Sequence, residues 1–229
     1  MKFPNAYEGV KKIFTSTILS IIGGFCMVCV AIAAIIALVA AAATVGGEAG
    51  AEGTAIGVGA AAVILLLASG VLGIISTILL LVGLKRAGKD EENFNSGFVC
   101  AIFVLVFTVV STALSSINGG NNFYDDIAIV IANILRIATM MYVTRGISSL
   151  AEQLDNQKMV NTGSKLYLAF SAVLIVATIL QLISSIVAYN NVVATAASAL
   201  LIASGITSIV AYIVYVIYLG RAKKMLKEA

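Results

Sequence analysis

Histidine and tryptophan are absent from the 229 residues of this chain, and only 11% of the residues are charged. Without histidine there is no Ser-His pair for nucleophilic catalysis and no metal site built on imidazole ligands. A water-soluble domain carries about a quarter charged residues, so the composition argues against an ordinary soluble fold. The sequence therefore predicts a protein that uses lipid as its solvent and that has no enzymatic activity.

Basic charge and cysteine are scarce as well. The formal net charge is only +3, so a nucleic-acid partner is not expected. The three cysteines all lie in apolar stretches, which does not suggest a secreted disulfide framework. Cys26 and Cys29 form a C-x-x-C whose spacing would suit a redox pair or a soft-metal site, but buried cysteine acting as a small hydrophobe is favoured. No cofactor or metal is expected.

Long apolar runs make up most of the sequence. Six of them reach the ~20 residues that a bilayer-spanning helix needs, and helices satisfy their own backbone groups in hydrocarbon. The predicted fold is an all-α integral membrane protein, a single polytopic domain over residues 1–229. The first run is too long for a signal peptide and is expected to stay in the membrane. The predicted spans are 18–45, 54–84, 98–117, 127–144, 166–189 and 192–219.

The basic residues predict how the spans are threaded. Thirteen of the fourteen Lys and Arg residues lie before the first span, in the second and fourth connections, or after the sixth span. The other three connections contain no Lys or Arg. By the positive-inside rule both termini are cytoplasmic, in a multi-pass protein of the plasma (inner) membrane.

The spans group into three predicted hairpins, approximately 1–88, 89–155 and 156–229. Each hairpin ends on a similar phrase, "GLKRAG", "YVTRGI" or "YLGRAK", and has a glycine before its first span: Gly9, Gly97 and Gly163. A threefold repeat would suit a transporter-like fold. The positive-inside rule alone would also place an arginine at the cytoplasmic end of each hairpin, so both explanations of the repeated phrase stay open.

Two further patterns concern packing. Small residues recur every four positions, which predicts close helix contacts within the bundle or against a partner subunit. The ladders are Cys29, Ala33, Ala37 and Ala41; Ser69, Gly73 and Thr77; and Ala199, Ala203, Thr207 and Ala211. Near the start, Phe3, Tyr7, Val10 and Phe14 share one helical face among lysines, which predicts a short interfacial helix on the membrane surface.

Arg136 is the fourteenth basic residue, and it lies inside the fourth span. It is about ten residues from either edge, so ~13–15 Å from each, near the middle of the bilayer. A central arginine raises the free energy of membrane insertion by about 2.5 to 3.5 kcal/mol. The eight Leu, Ile and Val residues of 127–143 lower it by very roughly 2.4 to 4.8 kcal/mol. This span would insert only marginally alone and needs partners.

No Asp or Glu lies inside any span, so the sequence offers no intramembrane carboxylate for Arg136. Asn133 and Thr139 are one turn away, and Gln181 is the conspicuous polar residue of the fifth span. These four residues are the predicted ligand site, in which the guanidinium would bind a carboxylate or phosphate. The alternative is that Arg136 hydrogen-bonds neighbouring helices or snorkels to water.

The predicted function is therefore binding or translocation of a small anionic solute, beside a partner subunit or in a homo-oligomer. The competing hypothesis is a structural or accessory protein that binds membrane proteins or lipids and transports nothing. A hydrated opening at Arg136 would separate the two, because only the first function needs one.

Overall fold

A computed structural model describes residues 2–45, 51–118, 123–189 and 194–229. These residues form six α-helices and contain no strand, as predicted for an all-α protein. The helices are α1 (Pro4–Val45), α2 (Ala51–Ala87), α3 (Asn93–Asn118), α4 (Phe123–Gln153), α5 (Gln157–Tyr189) and α6 (Ala194–Glu228).

Five of the helices contain a described stretch that is long and apolar enough to cross a membrane, which fits a helical membrane protein. The stretches are Pro4–Val30, Ala60–Ala87, Asn93–Ser116, Ile127–Gln153 and Gln157–Leu180. The sixth span, the membrane topology and the cytoplasmic position of the termini stay predictions. Part of the span at 192–219 lies outside the described residues.

The connection between α4 and α5 shows how local chemistry ends one helix and begins the next. Asp155 adopts a left-handed conformation, with φ of 54°, and the Asn156 amide donates back to the Ala151 carbonyl at 2.9 Å. This is a Schellman-type helix end. The Asn156 side chain then accepts the Met159 amide at 3.1 Å and caps α5.

The start of α1 corrects one expectation. A separate interfacial helix was predicted around Phe3–Phe14, but α1 runs without a break from Pro4, a residue well suited to the first helical position. Val10 is fully buried among apolar side chains, and Phe3, Tyr7 and Phe14 pack partly against them. The interfacial-helix prediction is wrong because a face that suits a lipid surface suits a protein core equally well.

The chain divides into two compact units. The core unit comprises Met1–Phe14 and Leu80–Ala229, and the hairpin unit comprises Thr15–Leu79. All of the largest fully buried side chains belong to the core unit: Phe94, Ile13, Leu84, Ile147, Leu150, Leu219, Leu226, Val10 and Val143.

The hairpin unit is held together differently. Ser16 donates to the Ser76 carbonyl at 2.8 Å, Ser76 donates to the Ser16 carbonyl at 3.0 Å, and the Ser20 and Ser76 hydroxyls are 2.6 Å apart. Large apolar side chains point outward, among them Ile64, Leu67 and Ile74. Hydroxyl contacts inside and apolar side chains outside are what lipid-immersed helices require.

Thirteen of the fourteen basic residues lie on or beside helix ends that come together in the core unit. We call this region the basic end; it contains the start of α1, the end of α2, the start of α3, the end of α4, the start of α5 and the end of α6. Its helices approach closely at glycines. A Cβ added at Gly9 would lie 2.5 Å from the Gly83 carbonyl oxygen, so α1 and α2 are nearly in backbone contact there.

Each of the three hairpins places a glycine near the second residue of a pair at the basic end. An added Cβ would meet the Gly83 carbonyl oxygen at Gly9, the Tyr142 Cβ at Gly97 and the Tyr218 hydroxyl at Gly163. Gly97 is equally close to Leu84, and Gly163 lies nearest the Ser148 hydroxyl of α4. In each pair the second residue precedes the arginine of the repeated phrase by three positions. The residues two positions before and one after that arginine are buried in all three hairpins: Leu84, Val143 and Leu219, and Ala87, Gly146 and Ala222. A repeated hairpin would produce this register, although the repeat itself stays a prediction.

Candidate functional site

Arg136 lies on one stripe of α4 together with residues of the core. The stripe, spaced by three and four positions, is formed by Ile129, Asn133, Arg136, Met140, Val143, Ile147 and Leu150. Met140 to Leu150 are buried in the core cluster, so this side of α4 faces the interior of the core unit. We call it the inward stripe. The opposite side of α4 is exposed at Ile127, Ile134 and Arg145.

Burial changes abruptly along the inward stripe. Val143, Ile147 and Leu150 are completely buried, whereas Arg136 is exposed and Ile129 is 37% exposed. The residues beside Arg136 on the helix surface, Ala132 and Thr139, are nevertheless buried. Arg136 is therefore an exposed residue on a helix side that is packed from Met140 to Leu150, and it has buried neighbours on the helix surface.

The guanidinium of Arg136 has no hydrogen bond or ion pair with any residue whose side chain the structure describes. The salt bridge found among those residues joins Lys224 and Glu228 on the surface of α6. A charge inside a predicted span is a candidate functional residue, and Arg136 is the candidate binding group of this site.

The other predicted ligand residues are placed unequally. Asn133 is half-buried on the inward stripe, one turn from Arg136. Thr139 is buried, and its hydroxyl donates to the Leu135 carbonyl of its own helix at 2.9 Å. Gln181 belongs to α5, and its side chain lies outside the described residues. The structure thus brings Arg136 and Asn133 together and directs the Thr139 hydroxyl to the backbone.

The cysteine pair of α1 was the other candidate for chemistry. Cys26 and Cys29 are half-buried and not in a disulfide. No group of three or more Cys, Asp or Glu residues that could hold a metal occurs in the part of the chain that the structure describes.

An acidic loop between α2 and α3 was not recognised from the sequence. Asp90 accepts the Ala6 amide at 2.7 Å and the Asn5 side chain at 2.9 Å, so its carboxylate caps the positive start of α1. Glu91 accepts hydrogen bonds from Asn93 at 2.6 Å and from Ser149 of α4 at 2.9 Å. These carboxylates join α1, α3 and α4 and help to close the basic end.

A second unrecognised cluster joins α4, α5 and α6. The Tyr218 hydroxyl is buried, lies 3.4 Å from the Ser148 hydroxyl and donates to the Thr144 carbonyl at 3.4 Å. Gly163 packs so closely that an added Cβ would collide with both hydroxyl groups. The residues come from three helices, so only a predicted helix arrangement could have revealed them. The cluster therefore joins α4, α5 and α6 at the basic end.

No family model, no curated protein and no solved structure matches this chain.

Proposed function

We propose that the protein binds a small anionic solute at Arg136, without catalysis, and serves its uptake or transfer in the membrane. Arg136 is the anion-binding group, and Asn133 is its polar neighbour. A guanidinium binds carboxylate or phosphate oxygens in a bidentate manner, and that interaction strengthens away from bulk water.

A single observation carries the proposal: Arg136 is exposed on the inward stripe. An arginine that only stabilised the bundle would be expected to contact carbonyls or hydroxyls of neighbouring helices. An arginine that faced lipid would be expected on the side of Ile134. An exposed charge on the stripe that faces the core from Met140 to Leu150 is the placement expected of a binding group.

The test is water accessibility beside an intact Arg136. In a background with Cys26, Cys29 and Cys100 replaced by alanine, Asn133→Cys would be treated in lipid vesicles with a membrane-impermeant thiol reagent. Ile134→Cys, one position away on the opposite side of α4, is the matched control. Lys158→Cys, exposed near the start of α5, gives the rate for a water-exposed thiol. The reagent must be supplied on both sides of the membrane.

We expect Asn133→Cys to react within about tenfold of Lys158→Cys, and Ile134→Cys to react at least about 100-fold more slowly, because a thiolate does not form in hydrocarbon. Equally slow reaction at Asn133 and Ile134 would overturn the proposal. The structural or accessory function, in which the interior at Arg136 is dry, would then be favoured.

A further inference from the structure

We infer that a belt of arginine and lysine side chains at the basic end binds the head groups of anionic phospholipids in the adjoining leaflet. The belt consists of five exposed residues on four helices: Lys85 and Arg86 of α2, Arg145 of α4, Lys165 of α5 and Arg221 of α6. We call these five residues the basic belt, and all of them belong to the core unit. The inference does not depend on the anion site proposed at Arg136.

The exposed surface of the core unit changes from apolar to basic within about one helical turn. Three pairs of exposed side chains show the change: Val82 and Lys85 on α2, Leu168 and Lys165 on α5, and Ile217 and Arg221 on α6. The members of each pair are three or four positions apart, or ~4.5–6 Å along the helix. Exposed apolar side chains suit acyl chains, and basic side chains just beyond them suit the head groups. The basic belt therefore lies at the height expected for lipid head groups.

The three arginines of the basic belt lie at nearly the same height in the bundle. Leu84 and Tyr142 are both 3.4 Å from the position of a Cβ added at Gly97, which aligns the end of α2 with the end of α4. The Tyr218 hydroxyl donates to the Thr144 carbonyl at 3.4 Å, which aligns α6 with α4. The positions two before and one after each arginine are buried, so the arginines lie on the outer sides of their helices.

The carboxylates of these helices lie farther from the apolar surface than the basic belt does. The first carboxylates after the three arginines come four, seven and seven positions later in the chain: Asp90, Glu152 and Glu228. Asp90 is bonded to the start of α1, and Glu228 pairs with Lys224 at 4.0 Å. The positive-inside rule does not require this order, because Asp and Glu contribute little to it. Basic charge alone beside the apolar surface is complementary to anionic head groups.

The placement of the basic belt favours lipid over an acidic protein. Its side chains are spread over four helices, and an acidic protein would cover one side of the bundle, whereas a leaflet surrounds it. Guanidinium groups bind phosphate oxygens in a bidentate manner, and each Lys or Arg near an anionic membrane surface adds to the attraction. An anionic phospholipid offers both the negative head group for the belt and the acyl chains for the neighbouring apolar surface.

The experiment measures lipid binding to the full-length protein by native mass spectrometry in a neutral detergent. Phosphatidylglycerol and phosphatidylcholine with the same acyl chains are added together at equal concentration, so the head group is the only difference between them. The arginine variant combines three substitutions: Arg86→Gln, Arg145→Gln and Arg221→Gln. The lysine control removes the same charge from exposed positions outside the belt: Lys89→Gln, Lys158→Gln and Lys227→Gln.

We expect wild type to bind phosphatidylglycerol at least about tenfold more tightly than phosphatidylcholine, because the whole belt faces the head groups. The arginine variant should reduce this preference to about threefold or less, and the lysine control should keep it. A third variant that replaces the same three arginines with lysine should keep most of the preference, since attraction to an anionic surface needs the charge more than the guanidinium.

Three outcomes would overturn the inference. Equal loss in the arginine variant and the lysine control would mean that total charge, and not the basic belt, attracts the lipid. An unchanged preference in the arginine variant would show that the belt does not bind head groups. No preference in wild type would leave an acidic protein as the partner of the belt. The corresponding single substitutions repeat the comparison one charge at a time, so the result does not depend on the folding of a triple variant.

Discussion

The core unit and the hairpin unit use different means to hold helices together. At the basic end, Phe94, Leu84, Leu150 and similar large side chains are fully buried, as in a water-soluble protein. Among the hairpin-unit side chains that the structure describes, the buried ones bear hydroxyls, such as Ser16 and Ser76. Burying apolar surface stabilises a fold only where the alternative is water, so the hairpin unit depends on close approach and hydrogen bonds instead.

The largest effect is expected from Phe94→Ala. Phe94 is completely buried in the core unit, so the truncation should lower the free energy of unfolding by about 3 to 5 kcal/mol. Phe103→Ala, on the same helix but 50% exposed, is the matched control and should cost far less. Unfolding by SDS titration followed by circular dichroism gives both values. Equal losses would mean that Phe103 is packed as tightly as Phe94.

Glycine contacts should show the second-largest effect. Gly9→Ala places a methyl group against the Gly83 carbonyl and the Ala87 backbone, and overpacking of this kind costs about 1 to 3 kcal/mol. Gly70→Ala in the hairpin unit meets nothing within 4 Å and should be neutral or stabilising by up to about 1 kcal/mol. Thermal unfolding of the two variants tests this, and tolerance of Gly9→Ala would contradict the close approach of α1 and α2.

A smaller loss is expected for Ser76→Ala in the hairpin unit. The substitution removes the hydroxyl bonds to the Ser16 carbonyl and to Ser20, and interhelical hydrogen bonds in membranes contribute about 0.6 kcal/mol each on average. Thr77→Ala is the control, since Thr77 bonds only to the Gly73 carbonyl of its own helix at 2.9 Å. Protease resistance of the hairpin in vesicles would report the difference, and identical resistance would argue that these hydroxyls do not join the helices.

The smallest effect on stability is expected at Arg136. Arg136→Met should leave the ligand-free protein as stable as wild type or slightly more stable, since the charge has no bonding partner among the described side chains. Thermal unfolding in detergent without added anion measures this. A clear loss of stability would mean that the guanidinium holds neighbouring helices together, and the solute hypothesis would then be abandoned.

Much of the helical architecture could be predicted because apolar length alone specifies membrane-compatible helices. The packing of the helix ends outside the predicted spans was harder to predict. Val10 and Leu150 continue apolar stripes into basic surroundings, and sequence alone does not tell whether such a stripe meets lipid or protein.

The candidate site was only partly predictable for a related reason. Arg136 stands out as a charge in an apolar span, and Asn133 follows from helical spacing. Sequence did not reveal that the stripe of Arg136 becomes the core stripe at Met140, because that requires knowing which side of α4 its neighbours occupy. Thr139 was a reasonable candidate by spacing, but its hydroxyl bonds to its own helix. Asp90 and Tyr218 act across helices distant in sequence, and no local pattern marks them.

The glycine register of the three hairpins bears on how the protein assembles during synthesis. Gly9 meets the Gly83 carbonyl, so this close contact is made within the first hairpin, whereas Gly97 and Gly163 also lie against Leu84 and Ser148 of the preceding hairpin. A hairpin can form its own contact as soon as its second helix has left the ribosome, without waiting for the rest of the chain. We therefore expect α1 and α2 to pair at their basic ends before α3 is made. The marginal fourth span, with Arg136, would then enter the membrane beside helices that are already in place.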